Sequence, residues 1–232
     1  MTARLSRRAA LGGLALMAMP VVLSRPASAG GGRLAFSVAR GADDIGEHVV
    51  DFTLEGDDLH VEIAIRLEVT FASVPVFRYE HVNREHWRAG RLLALESHTD
   101  DDGTAYAVTA RAVAGGLAVE GAEGRLLVDA GTLTTAYWHP RTVHQDRLID
   151  TQKGRLLSLE NRYLGRDTVE VAGELLPASR YGVGGDLAMT LWYGPNAQWC
   201  GLAFDGRGKE VRYRAVERLP EALWSAIAGT TA

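Results

Sequence analysis

The sequence predicts an all-β protein: a strongly curved antiparallel sheet, or incomplete barrel, with a short C-terminal helix. The first sign is residues 59–71. Every odd position there is apolar (Leu59, Val61, Ile63, Ile65, Leu67, Val69, Phe71), and the even positions hold His60, Glu62, Ala64, Arg66, Glu68 and Thr70. A period of two kept over thirteen residues describes a half-buried strand. At about 3.3 Å per residue it extends roughly 40 Å, a length at which a strand coils with its sheet. The second sign is short turn chemistry between alternating runs: Glu55-Gly56-Asp57-Asp58, Asp101-Asp102-Gly103, Gly194-Pro195-Asn196 and Asp205-Gly206-Arg207-Gly208. Such connections favour hairpins. The third sign is that no long helical period intervenes, which argues against βαβ crossovers and a parallel sheet.

Taken in order, residues 1–29 stand outside the fold. Arg4, Arg7 and Arg8 make a basic start, residues 9–24 carry no charge, and Pro26-Ala27-Ser28-Ala29 offers small residues where a signal peptidase would cut after Ala29. This is the pattern of a secretory signal. The apolar run is broken by Gly12, Gly13 and Pro20 and falls short of the roughly 20 apolar residues that span a bilayer. Ser6-Arg7-Arg8-Ala9-Ala10-Leu11 resembles the twin-arginine address. The expectation is a periplasmic or secreted protein that meets the export machinery, with residues 30–232 forming a single β domain.

Within that domain strands are expected over 34–40, 45–55, 59–71, 76–87, 92–98, 104–113, 156–164, 187–193, 199–204 and 211–216, and a helix over 220–228 with Pro220 in its first turn. Residues 133–143 lack the period of two and are read as a loop or short helical turn. Gly90-Arg91-Leu92-Leu93-Ala94-Leu95-Glu96 recurs at Gly154-Arg155-Leu156-Leu157-Ser158-Leu159-Glu160, and Gly124-Arg125-Leu126-Leu127 repeats its first four residues. Because the intervening sequence does not repeat, the motif reads as a hairpin glycine and a strand entrance rather than as a solenoid.

Setting aside the four arginines of the signal leaves 21 basic against 29 acidic residues, a balance of −8. An acidic chain with no basic cluster is poorly suited to nucleic acid or to an anionic membrane surface. Cys200 is the only cysteine, so no intramolecular disulfide forms, and its neighbours mark it as a small buried residue.

The residues most suggestive of chemistry are Tyr79-Glu80-His81-Val82-Asn83-Arg84-Glu85-His86-Trp87. On a strand, Tyr79, His81, Asn83, Glu85 and Trp87 share one face, while His86 lies on the other. The two histidines cannot share an ion, and His81 and Glu85 are about 13 Å apart along the strand. No metal site is expected, since zinc ligands lie about 2.0–2.3 Å from one ion. Two readings stay open. Either Phe77, Tyr79 and Trp87 wall a cleft with His81, Asn83 and Glu85 as polar anchors, or both faces are partly solvated and Glu80/Arg84 and Glu85/Arg88 are ordinary surface charges. Tyr137-Trp138-His139-Pro140, followed by His144 and Leu148-Ile149-Asp150-Thr151-Gln152, is a second cluster in an irregular stretch, placed to close one mouth of the sheet or to plug the core beneath a long connection. No nucleophile elbow, zincin motif or phosphate loop occurs. Tyr181-Gly182-Val183-Gly184-Gly185-Asp186 opens no helix and reads as a bulge or bend. No cofactor is implied.

With these residues named, the chain resembles the DUF6134 family of exported bacterial proteins. The carrying stretches are PVFRYEHVNREHWRAGRLLALESHTDDDG at 75–103, TTAYWHP at 134–140, RLIDTQKGRLL at 147–157 and LWYGPNAQWCGLAFDGRG at 191–208. The hairpin pattern is more distantly similar to curled-sheet proteins such as the DUF3108 group and the lipoprotein-carrier fold. The resemblance implies a fold and no activity. The favoured expectation is a non-catalytic protein that binds a small or lipophilic molecule in the concave face of the sheet. An interaction module that pairs with a protein partner through a sheet edge is the alternative, and a hydrolase-like enzyme using His81 with Glu85 or His139 with Asp150 is the third.

Overall fold

The computed structural model describes residues 30–231, and the expected signal segment with Arg7, Arg8, Ala27 and Ala29 lies outside the described residues. Eight strands follow one another as a meander: β1 (Gly30–Arg40), β2 (Asp43–Glu55), β3 (Asp58–Phe71), β4 (Val74–Arg88), β5 (Arg91–Asp101), β6 (Thr104–Val113), β7 (Gly116–Gly121) and β8 (Gly124–Val128). Each pairs antiparallel with the strand before it. An irregular stretch follows, holding β9 (Leu133–Thr134), a 3-10 turn at Thr142–His144 and β10 (Arg147–Ile149). A second meander then runs through β11 (Leu156–Val171), β12 (Glu174–Gly185), β13 (Met189–Tyr193), β14 (Trp199–Asp205) and β15 (Glu210–Glu217). Strand β15 lies antiparallel beside β1, which joins the two meanders into one sheet of order β8-β7-β6-β5-β4-β3-β2-β1-β15-β14-β13-β12-β11-β10-β9.

Inward-facing residues of successive strands bury one another because a strand presents alternate side chains to alternate faces. Phe36 and Trp199 lie with ring centroids 4.2 Å apart at the centre. Complete burial of a side chain such as Phe36 stabilises the fold by about 1.5–3 kcal/mol. The sheet curls strongly but does not close, and β8 and β9 remain its edges. The gap is bridged by the β10–β11 connection, where the Ala122 N–H donates to the Lys153 carbonyl at 2.9 Å. At that seam Gly154 has φ +76°, and a Cβ on it would stand 2.8 Å from the Cα of Gly121. Only glycine meets both demands.

The helix α1 (Glu221–Thr230) starts directly after Pro220 and buries Trp224 and Ile227. The Trp224 indole N–H donates to the Asn196 carbonyl at 2.7 Å. Leu219 and Leu223 pack so tightly on Gly32 that a Cβ there would come within 2.7 Å of both. Because Gly32 lies in the first residues of β1, the helix covers one end of the rolled sheet. Among the described residues no helix is long and apolar enough to cross a membrane.

Candidate functional site

Strand register stacks the inward side chains in layers. His81 lies level with Ile65, His48 and Phe36. One layer towards the helix, Asn83 is level with Ile63, Val50 and Leu34, and beyond it Glu85 is level with Val61 and Phe52. In the other direction come Tyr79 with Leu67, then Phe77 with Val69. The opposite wall reaches the same heights through Val38, Tyr213 and Leu202, then Arg40, Val211 and Phe204.

The helix end is solid. Glu85, 2% exposed, accepts hydrogen bonds from Asn83 Nδ2 (2.9 Å), Trp87 Nε1 (2.9 Å), Thr134 Oγ1 (2.8 Å) and Trp138 Nε1 (3.1 Å). These occupy the four lone-pair sites that two carboxylate oxygens offer. Trp138 meets Trp87 edge to face at 5.4 Å and Phe52 at 5.4 Å, a favoured aromatic geometry. His139 tilts against both tryptophans, accepts the Arg141 N–H at 3.1 Å on Nδ1, and leaves Nε2 buried without a partner. Burial holds its imidazole down at about 3. The irregular stretch thus inserts its Trp-His pair as a plug.

The other end is hollow. A cavity of about 660 Å³ opens between β1–β4, β13–β15 and the β10–β11 connection. Its walls are apolar: Ile45, Ile65, Leu67, Val69 and Phe77 on one side, Leu187, Met189, Leu202 and Phe204 on the other. That volume equals about 20 water molecules at about 30 Å³ each and falls in the range of small-molecule sites. Polar groups gather on the floor. His81 Nδ1 shares a hydrogen bond with Thr99 Oγ1 (2.8 Å), and its Nε2 with Thr151 Oγ1 (3.4 Å). The Tyr79 hydroxyl donates to Gln152 Oε1 (3.4 Å), whose amide in turn donates to Asp101 Oδ2 (3.0 Å). Asp150 pairs with Arg155 at 3.1 Å.

Burial sets the protonation of the floor. It lowers His81 to about 4, with Asp150 opposing the shift, and raises the phenols of Tyr79, Tyr137 and Tyr213. His81 and these tyrosines therefore offer neutral hydrogen-bonding groups. A base with the pKa of His81 is poorly matched to proton transfer at neutral pH. The hydrogen-bond partners of His81 are threonines and those of Glu85 are Asn83, Thr134 and two tryptophans, so these two do not form a direct pair. Among the described residues no three His, Cys, Asp or Glu side chains are grouped as metal ligands.

The nine residues singled out from sequence thus separate by depth. Phe77, Tyr79, His81 and Tyr137 line the cavity, whereas Asn83, Glu85, Trp87, Trp138 and His139 build the plug below it. The alternative of a strand solvated on both faces fails at Glu85, which is buried, while on the outer face Arg88 does pair with a neighbouring strand as a surface charge, bonding Asp58 at 2.7 and 2.9 Å. Arg84 likewise reaches Glu62. Thr151 and Gln152 on the floor belong to the second cluster read from the sequence, whereas sequence reasoning missed Thr99, the partner of His81, and Arg40 at the mouth. Arg40 alone carried a signal, since it shares parity with Phe36 and Val38 on an amphipathic strand.

No curated protein matches the chain. Its fold is similar to that of a solved structure described as a beta-barrel-like protein of domain of unknown function DUF1849 from Brucella abortus, with TM-score 0.56 and 11% identity over 80% of this chain and 95% of that one. That likeness is one of fold. The family model described as domain of unknown function (DUF6134) matches residues 36–216, and the chain belongs to this family.

Proposed function

We propose that the protein is an exported, non-catalytic binder that holds a small lipophilic molecule in the open half of its rolled sheet. The observation that carries this reading is the 660 Å³ cavity, apolar along its walls and polar only at its floor and rim. Small-molecule sites combine a mostly apolar lining with a few placed polar groups in this way. The absence of a matched acid/base pair at His81 favours binding over catalysis. Residues 1–29, with Arg7, Arg8, Ala27 and Ala29, supply the expected address to the periplasm or beyond.

The test is titration with the apolar fluorophore N-phenyl-1-naphthylamine. Saturable one-to-one binding to the mature protein is expected, together with its loss when Leu67→Trp fills the cavity. A wild-type protein that leaves the fluorophore dark, or a filled variant that binds equally well, ends the proposal. A second reading, strand addition by a protein partner, is favoured by the free edge at β8, where Leu127 is 61% exposed. It predicts a co-purifying partner that Leu127→Lys releases.

A further inference from the structure

The cavity mouth carries two cations whose placement the apolar lining does not explain. Arg40 ends β1 on the inward face, in register with Val211. Its Nε donates to the Gly206 carbonyl at 3.0 Å and its Nη2 to the Arg207 carbonyl at 3.3 Å. Two of five guanidinium N–H groups are thereby used to fix the side chain, and three remain. Arg207, at the tip of the β14–β15 turn with φ +58°, lays its guanidinium 5.7 Å from the Phe77 ring centroid on the facing wall. Both arginines line the cavity.

Neither forms an ion pair among the described residues, and of the other cations at this end Lys209 pairs with Asp43 at 3.5 Å and Arg155 with Asp150 at 3.1 Å, while Lys153 lies over the Tyr106 ring at 5.1 Å. The nearby carboxylates are engaged as well. Asp205 caps the Gly208 N–H at 2.9 Å, and Asp101 accepts from Gln152. Arg40, held by two carbonyls, and Arg207, over the Phe77 ring, thus have no carboxylate in ion-pair contact, and at the rim of an apolar chamber they form a receptor for an oxyanion. The overall acidity of the mature chain makes this local exception more specific.

Resting on the binding reading above, we infer that the ligand is an amphiphile with an anionic head. Its tail lies between Ile65, Leu67, Met189 and Phe204, and its carboxylate or phosphate meets Arg40 and Arg207 at the mouth. The shared chemistry is an oxyanion on a hydrocarbon chain. A fatty acid and a phosphate monoester both satisfy it.

The experiment measures binding of four sixteen-carbon probes below their micelle-forming concentrations: hexadecanoate, hexadecyl phosphate, hexadecanol and hexadecyltrimethylammonium. At least one anion is expected to bind about tenfold or more tightly than hexadecanol, since each charge-assisted contact contributes on that scale, and the ammonium to bind worst. Which anion wins tells a carboxylate ligand from a phosphate ligand. Arg40→Gln and Arg207→Gln together should erase the anion preference while hexadecanol binding persists, which also shows that the variant is folded. Added salt should narrow the preference in the wild type. If hexadecanol or the ammonium equals the better anion, or if the arginine changes leave the preference intact, the anionic head is refuted and the lipophilic cavity stands. If no probe binds, the cavity reading falls with it.

Discussion

Glu85 is the group whose replacement interrogates the fold most directly. Its two oxygens hold four donors, and each donor would be orphaned by an apolar side chain of similar size. Thr134 can rotate its hydroxyl and bond elsewhere, but the two indole N–H groups and the Asn83 amide are fixed by packing. An unsatisfied buried donor costs about 1–3 kcal/mol, so with three of them Glu85→Met should cost at least about 3 kcal/mol. For a domain of this size that is a fall of at least roughly 6–12 °C in melting temperature. Glu85→Gln is expected to behave differently. The retained oxygen still serves Trp87 and Trp138, and the new NH2 faces Asn83 and Thr134. A half-turn of the Asn83 amide presents its Oδ1, which has no partner in the native protein, and Thr134 Oγ1 can accept. The exchange also removes a buried carboxylate that has no ion-pair partner among the described residues, which offsets lost charge assistance. A cost below about 2 kcal/mol follows. Urea unfolding followed by tryptophan fluorescence and by circular dichroism reads both variants. Equal losses for the two changes, or a methionine variant within about 1 kcal/mol of wild type, would refute the four-donor account.

Acid should weaken the fold through three buried histidines. His48 and His139 are held near 3 and His81 near 4, against an ordinary 6.5, chiefly by burial. Their folded values lie below the unfolded one, so the unfolded chain binds more protons between these limits. Stability is then level above pH 6.5 and declines as pH falls towards 4, with a slope of at most about 4 kcal/mol per pH unit for three groups. His48 packs edge-on to Trp199 and Tyr213 with both ring nitrogens unpartnered, so His48→Phe should match or exceed wild-type stability and flatten this slope in urea midpoints taken from pH 7.5 to 5. At the β3–β4 turn, Ala72 and Ser73 have φ +49° and +66°; Ser73→Gly should raise the melting temperature by a few degrees, on the order of 0.5–1 kcal/mol. Gly154→Ala adds a methyl against the backbone of Gly121 at a positive φ and should cost about 2 kcal/mol or more by the same assay.

What the sequence made legible was parity. Alternation over 59–71 located β3 to within a residue and placed Tyr79, His81, Asn83, Glu85 and Trp87 on one inward face. Period two tells a face and not a depth, so it could not separate Tyr79 beside the cavity from Glu85 within the plug. That division is made by Trp138 and His139, which approach from about fifty residues away. Strands β7 and β8 were missed because they are short and flanked by glycine, and β9 and β10 because two or three residues show no period. In β12, Pro177 and three glycines obscured the alternation. Pro177 is tolerated because β13 begins its pairing only at Ser179, which leaves that side of the strand free. The Gly182–Gly185 run lies within β12, and its bend falls at Gly185, where φ is +86°.

The pairing of β1 with β15 has a consequence for how the protein is made. The earliest strand obtains its second neighbour only from the latest, so a growing polypeptide carries a bare row of amides and carbonyls until Glu210–Glu217 has emerged. Contacts between such distant partners form slowly, and open edges invite wrong ones. A chain cut short before Glu210 would therefore lack the Val211 and Tyr213 part of the cavity wall, keep a sticky border and aggregate.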